Sequence, residues 1–204
     1  GLRAVFYSLD GAGFAGYVSS FSVLSEGTHT VKAYSLDNVL NSGIIRSAAF
    51  GIDISTPLAD YSYLPAANGA GWNNTPVDVV FAGTDAVSGI EYCSSSFTLT
   101  GEGPGIPVSG YCADYAGWTS TVSFSLNIDT TAPSSGAEIA AEQGLNGWLL
   151  SLAGITLVST DSLSGVAALY YSVDGSSFAL YSSSFAVSGE GAHLLKYYSV
   201  DRAG

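Results

Sequence analysis

The chain has 204 residues, 47% hydrophobic and only 11% charged, so it is long enough for one to three domains and too apolar to be disordered. Lys plus Arg total 5 against 17 Asp plus Glu, a net charge of -12 that excludes partners needing clustered cations, such as nucleic acid backbones and anionic lipid surfaces. The longest apolar-rich run, Gly147 to Val158, is interrupted by Ser151 and Thr156 and falls short of the ~20 residues of a spanning helix. Met is absent, so the chain reads as a processed product or an excerpt of something longer, and the absence of a signal peptide says nothing about secretion.

In chain order, the elements are short strands separated by Gly- and Ser-rich turns. Tyr7-Ser8-Leu9-Asp10-Gly11 ends in an Asp-Gly hairpin signal. Gly11-Ala12-Gly13-Phe14-Ala15-Gly16 matches a dinucleotide-binding pattern, but Tyr17 to Val23 reads as strand. Without a following helix whose N-terminus faces a pyrophosphate, the run is a hairpin loop. Val77-Asp78-Val79-Val80-Phe81-Ala82 and Thr121 to Ile128 alternate with period two, as half-buried strands do. Ala137 to Leu145 is the one helix candidate, and its apolar residues keep no helical period.

These elements recur. Tyr7-Ser8-Leu9-Asp10-Gly11, Glu26-Gly27-Thr28-His29 and Tyr34-Ser35-Leu36-Asp37 return 164 residues later as Tyr171-Ser172-Val173-Asp174-Gly175, Glu190-Gly191-Ala192-His193 and Tyr198-Ser199-Val200-Asp201. A second offset, of 76, relates Ile52 to Pro57 with Ile128 to Pro133, Gly71-Trp72 with Gly147-Trp148, and Thr84 to Gly89 with Thr160 to Gly165. Three units follow: 1–57, 58–133 and 134–204. From Gly-Trp to Glu-Gly the second unit is 12 residues shorter than the third, because it lacks the Tyr-Ser-Val-Asp-Gly hairpin. Units of this size, holding about seven short strands, match a small β-sandwich.

The linker Ile128-Asp129-Thr130-Thr131-Ala132-Pro133, the Thr-Asp-x-x-Ser-Gly turns and the Asp-x-Ala-Gly stretches Asp114 to Gly117 and Asp201 to Gly204 carry a resemblance. With the Tyr-Ser-x-Asp-Gly and Glu-Gly-x-His motifs, their fixed order resembles the tandem immunoglobulin-like (Big-type) repeats of bacterial surface and secreted proteins. The first unit departs from the pattern with Asp37-Asn38-Val39-Leu40. The resemblance implies an all-β fold of tandem immunoglobulin-like β-sandwiches and an extracellular or cell-surface location. Gly1 aligns with Gly165 and Gly204 falls in the last loop. The expectation is therefore incomplete terminal domains: 1–57 without its first strands, 58–133 complete, and 134–204 without its last, completed by neighbouring strands.

Cys93 and Cys112 flank the Glu102-Gly103 turn of the second unit, and in an outward-facing protein such a pair reads as a disulfide. The other units carry Val5 with Ser35 and Leu169 with Ser199 at the aligned positions, so the bridge belongs to the unit without the extra hairpin. His29 and His193 share one repeat position and read as strand histidines beside a turn rather than catalytic bases. No nucleophile elbow or metal-spaced His pair occurs, so no enzymatic activity is expected. Trp72 and Trp148 recur beside a Gly and are expected to pack, whereas Trp118 is expected to be exposed. Asn73-Asn74-Thr75 is an N-glycosylation sequon, discounted because the resemblance is bacterial.

The remaining chemistry is acidic. In a sandwich of this topology the linker into a unit, its second-to-third-strand loop and its final hairpin loop share a pole. That pole carries Asp53, Asp85 and Asp114 in the second unit, and Asp129, Asp161 and Asp201 in the third. Two readings stand: each Asp caps its own turn, or three carboxylates share a Ca²⁺ that stiffens an interdomain joint. The expected function is a structural segment of an extracellular bacterial fibre, stalk or surface layer. The alternative is an adhesin or a glycan-binding or spacer module of a large secreted protein. The expected partners are copies of the chain or flanking repeats, with a glycan or host-surface ligand for the alternative.

Overall fold

A computed structural model describes residues 1–204. The chain is all-β, with no helix and five small antiparallel sheets. No helix is therefore long and apolar enough to cross a membrane. The strands are β1 (Leu2–Leu9), β2 (Ala15–Gly16), β3 (Gly27–Asp37), β4 (Arg46–Ile52), β5 (Leu58–Leu64), β6 (Val77–Thr84), β7 (Ile90–Cys93) and β8 (Phe97–Leu99). They continue with β9 (Gly103–Asp114), β10 (Thr119–Ile128), β11 (Ser134–Ala140), β12 (Ala153–Thr160), β13 (Val166–Val173), β14 (Ala179–Leu180), β15 (Phe185–Val187) and β16 (Leu195–Asp201).

Two compact units form, one of residues 1–62, 80–95 and 109–122, the other of residues 63–79, 96–108 and 123–204. The first contains the sheet β2-β1-β3-β4. Its hairpin turns at Asp10 and Gly11, both with positive φ (49° and 79°), the conformation an Asp-Gly pair adopts most readily. The run Gly11 to Gly16 is thus a turn leading into β2. In the same unit Cys93 and Cys112 are cross-strand partners on β7 and β9, joined by a disulfide. Cys112 is fully buried beside β6, where a Cβ on Gly83 would meet its sulfur at 2.8 Å.

The second unit holds the sheets β11-β12-β15 and β14-β13-β16. Ile155 and Leu157 of β12 and Leu169 of β13 are its buried centre, with Tyr171, Tyr181, Phe185 and Tyr197 packed against them. The buried residues of β12 alternate with exposed ones because successive side chains of a strand point to opposite faces. Val77, Val79, Val108, Leu126 and Ile128 are also buried here, on the same alternation.

The pairing repeats along the chain. Val5 faces Ser35 on β1 and β3, and Leu169 faces Ser199 on β13 and β16. Each pair of strands carries the same irregularity, between Leu2 and Ala4 and between Val166 and Ala168. Cys93 and Cys112 are register partners as well. Two readings differ from the structure: Tyr17 to Val23, read as strand, lies between β2 and β3 outside any strand, and the helix candidate Ala137 to Leu145 is not a helix. All seven residues of β11 pair with β12, from Ser134 against Thr160 to Ala140 against Gly154. Those cross-strand hydrogen bonds outweigh local helix preference in a segment with no helical stripe.

Candidate metal centres

The first acidic cluster is assembled from three segments. Asp53 follows β4, Asp85 opens the turn between β6 and β7, and Asp114 ends β9. One carboxylate oxygen from each lies within 4.8 Å of the others. The second cluster draws on the corresponding places, Asp129 after β10, Asp161 after β12 and Asp201 at the end of β16, within the same 4.8 Å.

Turn chemistry places each carboxylate. Asp85 Oδ1 accepts the amides of Val87, Ser88 and Gly89 at 3.0, 2.9 and 2.9 Å. Asp161 Oδ1 accepts those of Leu163 and Gly165 at 3.1 and 2.6 Å. Such turns close on a residue in the left-handed region, and Gly89 (φ 82°) and Gly165 (φ 78°) supply it without a Cβ clash. Asp114 Oδ1 accepts the Trp118 amide at 2.9 Å, and Asp201 Oδ1 accepts the Gly204 amide at 2.7 Å. Asp53 and Asp129 instead bridge two segments. Oδ1 of each accepts the amide two residues on, from Ser55 or Thr131, while Oδ2 accepts the Ser88 or Ser164 amide from the next loop. Both sequence readings therefore describe part of the geometry: every Asp caps a turn, and the capped carboxylates still converge.

The surroundings favour a cation. The Asp114 carboxylate is fully buried, and its Oδ2 has no hydrogen-bond partner. A buried ionised oxygen without a donor is costly unless a proton or a cation neutralises it. No Lys or Arg pairs with either cluster; the ion pairs of the chain are His29–Asp10 and His193–Asp174. The Ser88 and Ser164 hydroxyls, at equivalent positions of the two turns, are likewise buried and outside hydrogen-bonding geometry. The Ser88 hydroxyl nevertheless lies close enough to Asp53 to be the main cause of its lowered pKa, with Ser55 adding to it against desolvation. For Asp129, burial pushes the pKa up, but the Ser164 hydroxyl and amide and the Thr131 amide together leave it below the ordinary value. Both bridging carboxylates are thus held ionised. Ca²⁺ binds oxygen at about 2.3–2.6 Å, so two of its ligands can be about 5 Å apart at most. Three oxygens within 4.8 Å meet that limit, and a hard cation suits an all-oxygen donor set.

Neighbouring side chains brace the centres. The Trp118 indole N–H donates to the Asp53 carbonyl at 3.1 Å beside the first. At the second, Asn68 Nδ2 donates to the carbonyls of Arg202 and Ala203 at 2.8 and 2.9 Å, and Asn74 Nδ2 to that of Gly204 at 2.6 Å. No protein-family model matches the chain, and no curated protein matches it.

Other singled-out residues fall as follows. Trp118 is 45% exposed, as expected, whereas Trp148 is 61% exposed and does not share the packing expected of it. It stands on a turn, its amide donating to the Leu145 carbonyl, and lines an open cavity of about 790 Å³ beside Leu150, Ile155 and Leu195. Asn73 of the sequon is only 3% exposed and donates its side-chain amide to the Pro65 carbonyl, so it is a structural residue. His29 and His193 each bond an aspartate 19 residues earlier, a pairing that sequence reading missed although both partners recur at the same offset.

Proposed function

We propose that this chain is a structural segment of an extracellular bacterial fibre, stalk or surface layer. In this reading it is built from three serial immunoglobulin-like sandwiches over 1–57, 58–133 and 134–204, with a Ca²⁺ at each joint. The observation that supports the reading is that a converged aspartate triad occurs twice, Asp53 with Asp85 and Asp114, and Asp129 with Asp161 and Asp201. In its apo form such a joint collects three carboxylates that repel one another. With Ca²⁺ the linker, the turn and the final loop become one coordinated block. Repeat arrays gain reach and stiffness from contacts between neighbours. The disulfide Cys93–Cys112 agrees with an oxidising location. Thermal unfolding of the chain in Ca²⁺ and in chelator tests the joint: Ca²⁺ raises Tm if it binds the folded state, and coincident curves contradict the reading.

The adhesin alternative rests on one feature. Tyr170 and Tyr198 stack at 5.1 Å with Phe178 edge-on at 5.0 Å, and Phe6, Tyr34 and Phe14 repeat the arrangement at 5.2 and 5.0 Å. Phe14, Phe178 and Tyr198 are each more than two-fifths exposed, giving aromatic faces of a kind suited to sugar rings. Glycan-array binding that is lost in Phe178→Ala would favour that reading over the purely structural one.

A further inference from the structure

We infer that His29 and His193 are pH-sensitive latches on the two Asp-Gly hairpins, closed by the doubly protonated imidazole ring and loosened when it loses a proton. The argument begins with the ring's neighbours. His29 Nδ1 lies 2.7 Å from Asp10 Oδ2, and Nε2 lies 2.9 Å from the Ser25 carbonyl oxygen. Both of these oxygens are acceptors only, and the Ser25 hydroxyl, which can donate, stands further from Nε2 at 3.5 Å. Neutral imidazole carries one N–H, so one acceptor then faces a lone pair; the imidazolium ion donates to both. His193 repeats the arrangement, with Asp174 Oδ2 at 2.8 Å and the Gly189 carbonyl at 3.5 Å.

The latch ties three segments. Oδ1 of Asp10 accepts the Thr30 amide at 2.7 Å, so the hairpin turn is bonded to β3 through both its oxygens. Asp174 binds the Leu194 amide in the same way, also at 2.7 Å. The ring's second nitrogen adds the loop that follows the hairpin. His29 is 6% exposed and packs against the Phe50 ring of β4 at 5.6 Å; this burial disfavours the charged ring, and the Asp10 and Ser25 bonds outweigh it.

Few other charges reach these rings. On β4 the charged residue, Arg46, is in register with Ala33, well along the strand from Phe50. In the loop, the Glu26 carboxylate accepts the Ile54 amide. Lys32 follows His29 by three residues on β3, which strand alternation places on the other face; Lys196 lies on β16, three residues after His193. Glu190 lines the same cavity as His193.

The second repeat provides an internal contrast. It lacks the Asp-Gly hairpin, and Gly105 stands where the histidine would be. Histidine and aspartate occur together twice and are missing together once; the repeat without them holds the disulfide.

The titration agrees in direction. The aspartate bond, helped by the loop carbonyl, raises both histidine pKa values, and the histidine bond lowers those of Asp10 and Asp174. A raised histidine pKa gives stability that is full below the ordinary value of about 6.5 and is lost as pH rises through the folded value. A lowered aspartate pKa gives stability that is lost as pH falls below about 3.9. The latches are therefore tightest between about pH 4 and 6.5.

The chain has 2 histidines, so every imidazole signal reports a latch. NMR titration of the intact chain, following the ring nitrogen shifts, should show both rings titrating above about 6.5 and both nitrogens protonated at mildly acidic pH. Tm should fall between about pH 6 and 8, and the fall should be smaller in His29→Gln/His193→Gln, since glutamine cannot become charged. A ring that titrates at or below the ordinary value overturns the inference, as does a pH slope that persists in full in the double variant. If that variant does not fold, the titration of the unmodified chain decides alone.

Discussion

Asp129 accepts the backbone amide of Ser164 at 2.9 Å across 35 residues of chain, and Asp53 accepts that of Ser88 across the same separation. The bond runs from the segment after β10 into the turn between β12 and β13, and from the segment after β4 into the turn between β6 and β7. It is what makes an aspartate that also caps its own local turn contribute to a shared acidic centre.

Acid should loosen this tie. The pKa values of Asp53 and Asp129 both lie below the ordinary carboxylate value, so their bonds stabilise fully above about pH 3.9 and weaken as pH falls through the lower folded values. Asp129→Asn should unfold at lower Tm than the unmodified chain at neutral pH, and the two melting curves should draw together in acid. Melting followed by circular dichroism across the acid range checks this, and a constant gap between the curves counts against it.

The disulfide should contribute measurably to stability. Cys93 and Cys112 are 19 residues apart, and closing a loop of that size stabilises by about 3 kcal/mol in the chain-entropy model. Urea unfolding with and without reductant should show a loss of that order, with intact mass confirming reduction.

Gly110 sets a packing limit on the core. A Cβ there would meet the Phe81 ring at 2.4 Å, and Phe81 is 7% exposed. Gly110→Ala should destabilise by about 1–3 kcal/mol through forced displacement of the ring. Gly101→Ala, with nothing within 4 Å of its Cβ, should stay within about 0.5 kcal/mol of the parent in the same urea titration.

Strand alternation in Val77 to Ala82 and Thr121 to Ile128 was legible because each strand buries one face only. The equivalence of Val5–Ser35 with Leu169–Ser199 was also legible, since the 164-residue offset has no gap and preserves register, and Cys93–Cys112 joins it once the missing hairpin is allowed for. The His29–Asp10 pair was not: the ring reaches the turn only because β3 folds back along β1. Trp148 misled because a shared Gly-Trp position does not ensure packing when the residues around it differ, Leu149-Leu150-Ser151-Leu152 following Trp148 where Asn73-Asn74-Thr75-Pro76 follows Trp72. For the six aspartates, sequence gave their common pole but left cap and cation as rivals. The two roles separate only at the level of individual oxygens, as in Asp114, whose Oδ1 caps Trp118 while Oδ2 is left buried and unbonded.

The most direct measurement is calorimetric titration of the intact, metal-free chain with Ca²⁺. Two triads predict two bound ions per chain. Asp85→Asn and Asp161→Asn, each removing one ligand, should each weaken one site at least about tenfold and leave the other unchanged. Absence of binding at millimolar Ca²⁺, or binding that survives both substitutions undiminished, contradicts the account.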